Sequence, residues 1–165
     1  MLTWYPDFFD RHQALTVFDL LTDYLGSGRI RVDKSVYCGR AAYHDPCNYC
    51  RKSEELFGHG YYEEPRRILD QVLTDWVDLY PSGANQYCCG GGGGTLLTPF
   101  QETRMHYGRR KIEQIRRSGA EMIVLPCHSC HGQIKALLAE HGMADIAVKY
   151  LWEVVADSLV MEENA

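Results

Sequence analysis

The sequence predicts an α/β fold: a parallel sheet of about four strands with helices on both faces. Three observations carry this expectation. Short apolar or β-branched runs alternate with stretches of helical period. Gly, Pro, Asp and Ser punctuate the boundaries. Five of the seven cysteines fall in turns that follow strand-like runs. Alternation of this kind buries a parallel sheet between two helical layers.

Ala14, Val17, Phe18, Leu21, Tyr24 and Leu25 recur at helical spacing, and Gly26 and Gly28 close that helix. Ala41-Ala42-Tyr43-His44 reads as a short strand stopped by Asp45-Pro46. Pro65 can start a helix whose apolar face is Ile68, Leu69, Val72 and Leu73. Trp76-Val77-Asp78-Leu79 reads as a second strand, ended by Pro81-Ser82-Gly83. Thr98, Pro99 and Gln101 read as a capping-box start for a helix that runs to Gly119. Met122-Ile123-Val124-Leu125 is a buried-strand run ended by Pro126. Ile134, Leu137, Leu138 and His141 share one face of the next helix, closed by Gly142. Ile146-Ala147-Val148 makes a fourth strand, and Val154, Val155 and Leu159 mark a last helix. The pattern is Rossmann-like.

With 165 residues the chain reads as a single domain, residues 1–35 forming a helical lead-in and 36–165 the core. A net charge of −5 argues against nucleic acid as a partner, which usually meets a basic stripe. No apolar run approaches the roughly 18 residues of a membrane span. Met1 to Asp7 lacks the basic and apolar regions of a signal peptide, so a cytoplasmic, reducing location is expected. There, clustered cysteines more often bind metal or do redox work than form disulfides.

In open α/β sheets, ligands gather at the carboxyl ends of the strands. Cys47 lies just past the first strand, Cys88 and Cys89 follow the second, and Cys127 and Cys130 follow the third. Cys127-His128-Ser129-Cys130 is a C-x-x-C at a helix start, where thiolates are favoured. That spacing also fits a thioredoxin-like dithiol or half a zinc site. With His131 it fits the c-type haem attachment motif, which needs export. The vicinal pair Cys88-Cys89 suits a multi-iron cluster better than one tetrahedral ion. Gly90, Gly91 and Gly92 open a run of five glycines whose backbone can approach a bulky cluster and donate N–H groups to sulfur. This run does not match a dinucleotide fingerprint, because the third glycine is missing.

Taken together, Tyr43-His44-Asp45-Pro46-Cys47-Asn48, Cys88-Cys89-Gly90-Gly91-Gly92-Gly93-Gly94 and Pro126-Cys127-His128-Ser129-Cys130 resemble the cysteine-rich CCG domain. That domain occurs in heterodisulfide reductase catalytic subunits and in iron–sulfur subunits of glycolate and lactate oxidation. Forty residues lie between Cys47 and Cys88 and thirty-seven between Cys89 and Cys127, about what the family uses. Arg51-Lys52-Ser53, Phe57 to Tyr61 and Lys149 to Glu153 look most like the DsrK subunit of a sulfite-reduction membrane complex. The resemblance implies a non-cubane [4Fe–4S] cluster with Cys47, Cys88, Cys89, Cys127 and Cys130 as metal ligands. It implies chemistry at a disulfide or trisulfide. It also implies partners: other subunits of a membrane-associated redox complex at the inner face of the membrane, a ferredoxin-type cluster donor, and a small sulfur-carrier protein resembling DsrC. Family members usually carry two such domains, so this chain resembles the C-terminal part of a larger subunit. An electron-relay subunit of a glycolate- or lactate-type dehydrogenase and a zinc-binding structural module are the alternative readings.

Beside the ligands, His44 and His128 are candidate catalytic groups, for donation to cluster sulfur or proton delivery to a leaving thiolate. Cys50 and Cys38 read as thiols without a cluster role. Tyr61 and Tyr62 are placed at the approach to the cluster. Arg104, Arg109, Arg110, Lys111, Arg116 and Arg117 read as a solvated face that can also dock an acidic partner.

Overall fold

The computed structural model describes residues 14–161 together with Asp7 and His12. The reading of Met1 to Pro6 as lacking a signal peptide lies outside the described residues. In chain order the elements are α1 (Val17–Gly26), β1 (Ala41–Tyr43), α2 (Arg51–Phe57), α3 (Glu63–Val72), β2 (Trp76–Asp78), α4 (Gln101–Ser118), β3 (Met122–Leu125), α5 (His128–Glu140), β4 (Ala147–Tyr150) and α6 (Leu151–Asp157). The sheet is wholly parallel in the order β2-β1-β3-β4. The expected α/β fold with helices on both faces is what forms.

Strand parity explains the two cores. Ala41, Tyr43, Met122 and Val124 point to one face, where Phe18, Leu25, Ile68, Leu69, Val72, Leu151 and Val154 cover them from α1, α3 and α6. Ala42, Ile123 and Leu125 point to the other, under Ile112 and Ile115 of α4 and Ile134, Leu137 and Leu138 of α5. Burying each Leu or Ile contributes roughly 1.5–3 kcal/mol. β1 and β3 are buried along their whole length, as central parallel strands must be.

Local chemistry sets the boundaries. Thr16 caps α1, its hydroxyl accepting from the Asp19 N–H at 3.3 Å while the Asp19 carboxylate accepts from the Thr16 N–H at 2.7 Å. Gly119 ends α4 at a φ of 64°, a left-handed turn suited to glycine.

Four expectations change. The capping box at Thr98 does not form: the Thr98 hydroxyl donates to the Thr95 carbonyl at 2.8 Å, so α4 begins at Gln101 with Phe100 at its uncapped start. The helix α2 is additional: five of its seven residues are polar, Leu56 and Phe57 are exposed, and only Ser53 is buried. His141 lies beyond α5 and is exposed rather than on its apolar face. Leu159 follows α6 and bridges Val32 instead of belonging to the helix.

The topology positions the site. From β1 the chain moves outward to β2, then returns so that β3 lies on the other side of β1. Crevices for ligands open at the carboxyl ends of strands where the order reverses in this way. Here that point lies between β1 and β3.

Candidate metal centre

The loop after β1 is fixed before it reaches Cys47. The His44 N–H donates to the Val124 carbonyl at 3.0 Å, carrying the strand pairing one residue further. Asp45, 1% exposed, accepts two parallel bonds from Arg66, each 2.9 Å, and a third from the Gly83 N–H at 2.7 Å. Arg66 also donates to Asp78 at 2.6 Å. Burial opposes its charge, but the two carboxylates outweigh burial and hold the guanidinium above its ordinary pKa. A forked Arg–carboxylate pair fixes orientation as well as charge. The fork ties the β1 loop, which carries Cys47, to α3 and the end of β2, and the Gly83 N–H ties it to the loop after β2.

Five thiols meet at the switch point in one continuous line. Cys47 neighbours Cys88, and Cys88 neighbours Cys89, closely enough that each shifts the other's acidity. The sulfurs of Cys89 and Cys130 lie 3.2 Å apart, and Cys130 and Cys127 shift each other's acidity. All are free thiols; Cys89, Cys127 and Cys130 are buried, Cys47 half-buried and Cys88 exposed. Their acidities are set by one another. Contact with Cys47 and Cys89, helped by the Gly90 N–H, holds Cys88 well below the usual thiol range. Contact with Cys88 and burial push Cys47 up, and contact with Cys127 and Cys89 pushes Cys130 up. Contact with Cys130 and the N–H groups of Cys130 and Ser129 lower Cys127 to about 6 against burial. Packed so closely, the thiols share protons instead of carrying five charges. A metal would displace those protons.

The glycine run forms the wall. The Gly90 N–H points at the Cys88 sulfur and the Gly91 N–H at the Cys89 sulfur, each at 3.4 Å. Gly90 has a φ of 90°, and a β-carbon there would stand 2.5 Å from the Arg104 carbonyl oxygen. A β-carbon on Gly91 would stand 2.7 Å from the β-carbon of Gln133, and one on Gly92 would stand 3.9 Å from the Cys47 sulfur. Gly108 of α4 lets that helix approach, since a β-carbon there would come within 2.8 Å of the Cys89 carbonyl oxygen.

The candidate histidines differ. His44 is fully buried, and neither ring nitrogen has a hydrogen-bond partner. A ring nitrogen of His44 and the sulfurs of Cys89 and Cys130 all lie within 4.8 Å of one another. Burial, then the positive charge of Lys111, keep this imidazole neutral by pulling its pKa well below the ordinary value. His128 is exposed, with Nδ1 2.6 Å from the Tyr150 hydroxyl. His131 and Trp152 both stack on Tyr150, with ring centroids 4.3 and 5.0 Å from its own. Cys50 stays apart: its thiol faces Asp45 and the Tyr61 carbonyl, and burial pushes its pKa to about 12. Cys38 is exposed, its thiol donating to the Ser35 carbonyl at 3.2 Å.

Above the line of thiols lies a cavity of about 810 Å³. Cys47, Cys88, Gly90, Gly92 and Gly93 face it, with Arg51, Lys52 and Glu55 of α2, Tyr87, and His106, Tyr107, Arg109 and Arg110 of α4. Tyr61, expected at this approach, packs instead against Phe18 and His59, and the tyrosines at the cavity are Tyr87 and Tyr107. Lys111, read as part of a solvated face, is fully buried. The sequence signal for α2 lay in its closing Gly58, at a φ of 72°. Nothing in the local pattern marked Tyr87.

The donor set fits a metal–sulfur group: contiguous thiols, backbone N–H groups aimed at two of the sulfurs, an unpartnered buried imidazole, and glycines where a β-carbon would intrude. The fold and site together define an open α/β domain with a thiol centre at its topological switch point. The chain belongs to the cysteine-rich (CCG) domain family, whose model matches residues 41–135, more than half of it. It is 32% identical over 117 residues to a fumarate reductase (CoM/CoB) subunit of Methanothermobacter marburgensis, covering 70% of this chain and 22% of that one. It is 32% identical over 127 residues to the Hdr-like menaquinol oxidoreductase iron-sulfur subunit 2 of Archaeoglobus fulgidus, covering 73% and 22%. A probable membrane-anchored ferredoxin of Chromohalobacter salexigens is 32% identical over 120 residues, covering 73% and 17%. The chain thus spans about a fifth of the length of these relatives. No solved structure matches. The family ties make it a cysteine-rich, oxidoreductase-type domain related to heterodisulfide-reductase iron–sulfur subunits. Among the described residues, no helix is long and apolar enough to cross a membrane.

Proposed function

We propose that Cys47, Cys88, Cys89, Cys127 and Cys130 hold a non-cubane [4Fe–4S] cluster that makes or breaks a sulfur–sulfur bond. The observation that carries this reading is the gradient along the thiol line. Its inner end is buried, and its outer end, Cys47 and Cys88, opens into the cavity of about 810 Å³. A site used only to relay electrons needs no chamber of that size over its ligands. Such a cluster supplies two electrons one at a time and an iron site for a thiolate sulfur.

The chain's own residues do the rest. The Gly90 and Gly91 N–H groups donate to the sulfurs of Cys88 and Cys89 and favour their charged forms. Arg51, Lys52, Arg109 and Arg110 face the same chamber as Cys47 and favour an anionic substrate or leaving thiolate. His44 borders the inner sulfurs as a neutral imidazole, and His128 stands at the start of α5 as the exposed candidate for proton delivery. Cleaving one sulfur–sulfur bond consumes two electrons and two protons and gives two thiols. The electrons would come from ferredoxin-type clusters in partner subunits. The domain would act at the inner face of a membrane, in a complex of sulfite or sulfate respiration resembling that of DsrK, on a substrate carried by a protein resembling DsrC.

A second reading is favoured by the relative named as a membrane-anchored ferredoxin: the cluster passes electrons without binding sulfur. Anaerobic purification followed by iron and sulfide counting tests both, with about four irons per chain expected from the cluster type. One zinc and no sulfide would refute both. An EPR signal that shifts when a thiol or trisulfide partner is added supports bond chemistry, and an indifferent signal supports relay.

A further inference from the structure

Lys111 is a fully buried titratable group that the proposed chemistry does not use. It is buried on α4 with Gly108, which packs against the Cys89 carbonyl, and with Ile112 and Ile115 of the second core. Its ammonium donates to the Gln114 Oε1 at 2.5 Å, while the Gln114 amide nitrogen is held by the carbonyls of Leu79 and Pro81 at 3.0 and 2.9 Å. Among the described residues no carboxylate forms an ion pair with it. An ammonium in this position carries a large desolvation penalty unless negative charge lies close by.

Ile112 and Ile115, on the same buried side of α4 as Lys111, share one core cluster with Cys89, Cys127 and Cys130, and negative charge on Cys89, Cys130, Asp45 and Cys88 favours the charged form of Lys111 against burial. Asp45 is already matched by Arg66. Three of the five clustered thiols remain. Burial lowers Lys111 to about 8, and the neighbouring negative charge opposes that loss.

We infer that Lys111 is the internal counter-ion of the thiolate centre, compensating negative charge on Cys88, Cys89 and Cys130 and raising the potential at which the centre is reduced. The inference rests on the cluster proposed above. Reduction adds an electron to an already negative group, and a fixed positive charge in a low-dielectric interior favours that form. Lys111 is therefore a positioning residue that acts through the cluster.

The test compares Lys111→Met and Lys111→Arg with the unaltered chain in EPR-monitored redox titrations of loaded protein. At the midpoint potential of the unaltered chain, Lys111→Met should show a reduced-to-oxidised ratio about tenfold lower, equivalent to about 59 mV for one electron. Lys111→Arg should stay within about twofold. A loaded Lys111→Met with an unchanged ratio overturns the inference. Melting separates charge from packing. Without metal, Lys111→Met should melt higher than the unaltered chain, because an uncompensated charge is gone, and it should lose that advantage once loaded. A lower melting point in both states would mean that the bond to Gln114 is the whole role, and would overturn the inference. Lys111→Met that stays folded but takes up about a tenth of the iron also supports it. If the unaltered chain binds no iron and sulfide, it is the cluster assignment that has failed.

Discussion

The sulfurs of Cys89 and Cys130 lie 3.2 Å apart although 41 positions separate them in the chain. One comes from the loop before α4 and the other from the first turn of α5, so their meeting depends on both helices packing on the same sheet face. With the ligand role proposed for both, Cys89→Ser or Cys130→Ser should cut bound iron and sulfide to less than about a tenth of the unaltered level, since thiolates are what hold such clusters. Cys50→Ser should leave the metal content unchanged, because its thiol faces Asp45 and Tyr61 rather than the line. Elemental analysis after anaerobic purification reads both. Loss of iron in Cys50→Ser would show that the ligand set is wrong.

The glycines before α4 are not equivalent. Gly91→Ala would set a methyl 2.7 Å from Gln133 and 2.9 Å from the Ser129 carbonyl oxygen, and backbone can yield little. Overpacking of this kind costs about 1–3 kcal/mol. Gly93, unlike Gly91, has a positive φ, 64°, but nothing lies within 4 Å of a β-carbon there. Gly93→Ala should therefore cost only the left-handed strain, about 1–2 kcal/mol. Denaturant melts of the metal-free variants should rank them in that order, and the distortion beside Cys88 and Cys89 should lower metal retention in Gly91→Ala further.

The ion pairs differ in the same way. Arg66→Met would strand Asp45, whose side chain is 1% exposed, and should cost about 3–5 kcal/mol. Arg40→Ala breaks a pair with Asp75 that is about half exposed on both sides and should cost about 0–1 kcal/mol. Thermal unfolding followed by circular dichroism distinguishes these magnitudes. Equal costs would mean that the Arg66 fork does not anchor the Cys47 loop.

Much of this was legible in the chain because periodicity and turn residues report burial directly. Met122 to Leu125 is apolar at every position and became a central strand buried on both faces. The cysteines were legible as a group because each trails a strand, and parallel topology sends all such turns to one edge. Lys111 was not. It sits beside Arg109 and Arg110, and only the packing of Gly108 against Cys89 and Leu137 turns that part of α4 inward. The start of α4 was misread because the Thr98 hydroxyl turns back to donate to the Thr95 carbonyl and accepts from no N–H of the helix it was expected to cap. The cavity was illegible for another reason: its walls come from α2 and α4, which are distant in sequence and carry no shared motif.

Those walls yield the last prediction. Arg51, Lys52, Arg109 and Arg110 face the cavity against a single acidic residue, Glu55, on a chain whose formal charge is −5. A low-dielectric cleft lined by one sign of charge concentrates ligands of the other sign, by about ten- to a thousandfold in rate. Reversing Arg109 and Arg110 to Glu should slow reductive cleavage of an anionic disulfide, dithiobis(nitrobenzoate), by loaded protein about tenfold or more at low salt. The defect should shrink as salt rises, because the Debye length falls to about 3 Å at 1 M. A neutral disulfide, dipyridyl disulfide, should be affected far less. Stopped-flow turnover with a reduced viologen as donor reads all three. Equal slowing of the charged and neutral disulfides would show that the arginines support the fold rather than select the ligand.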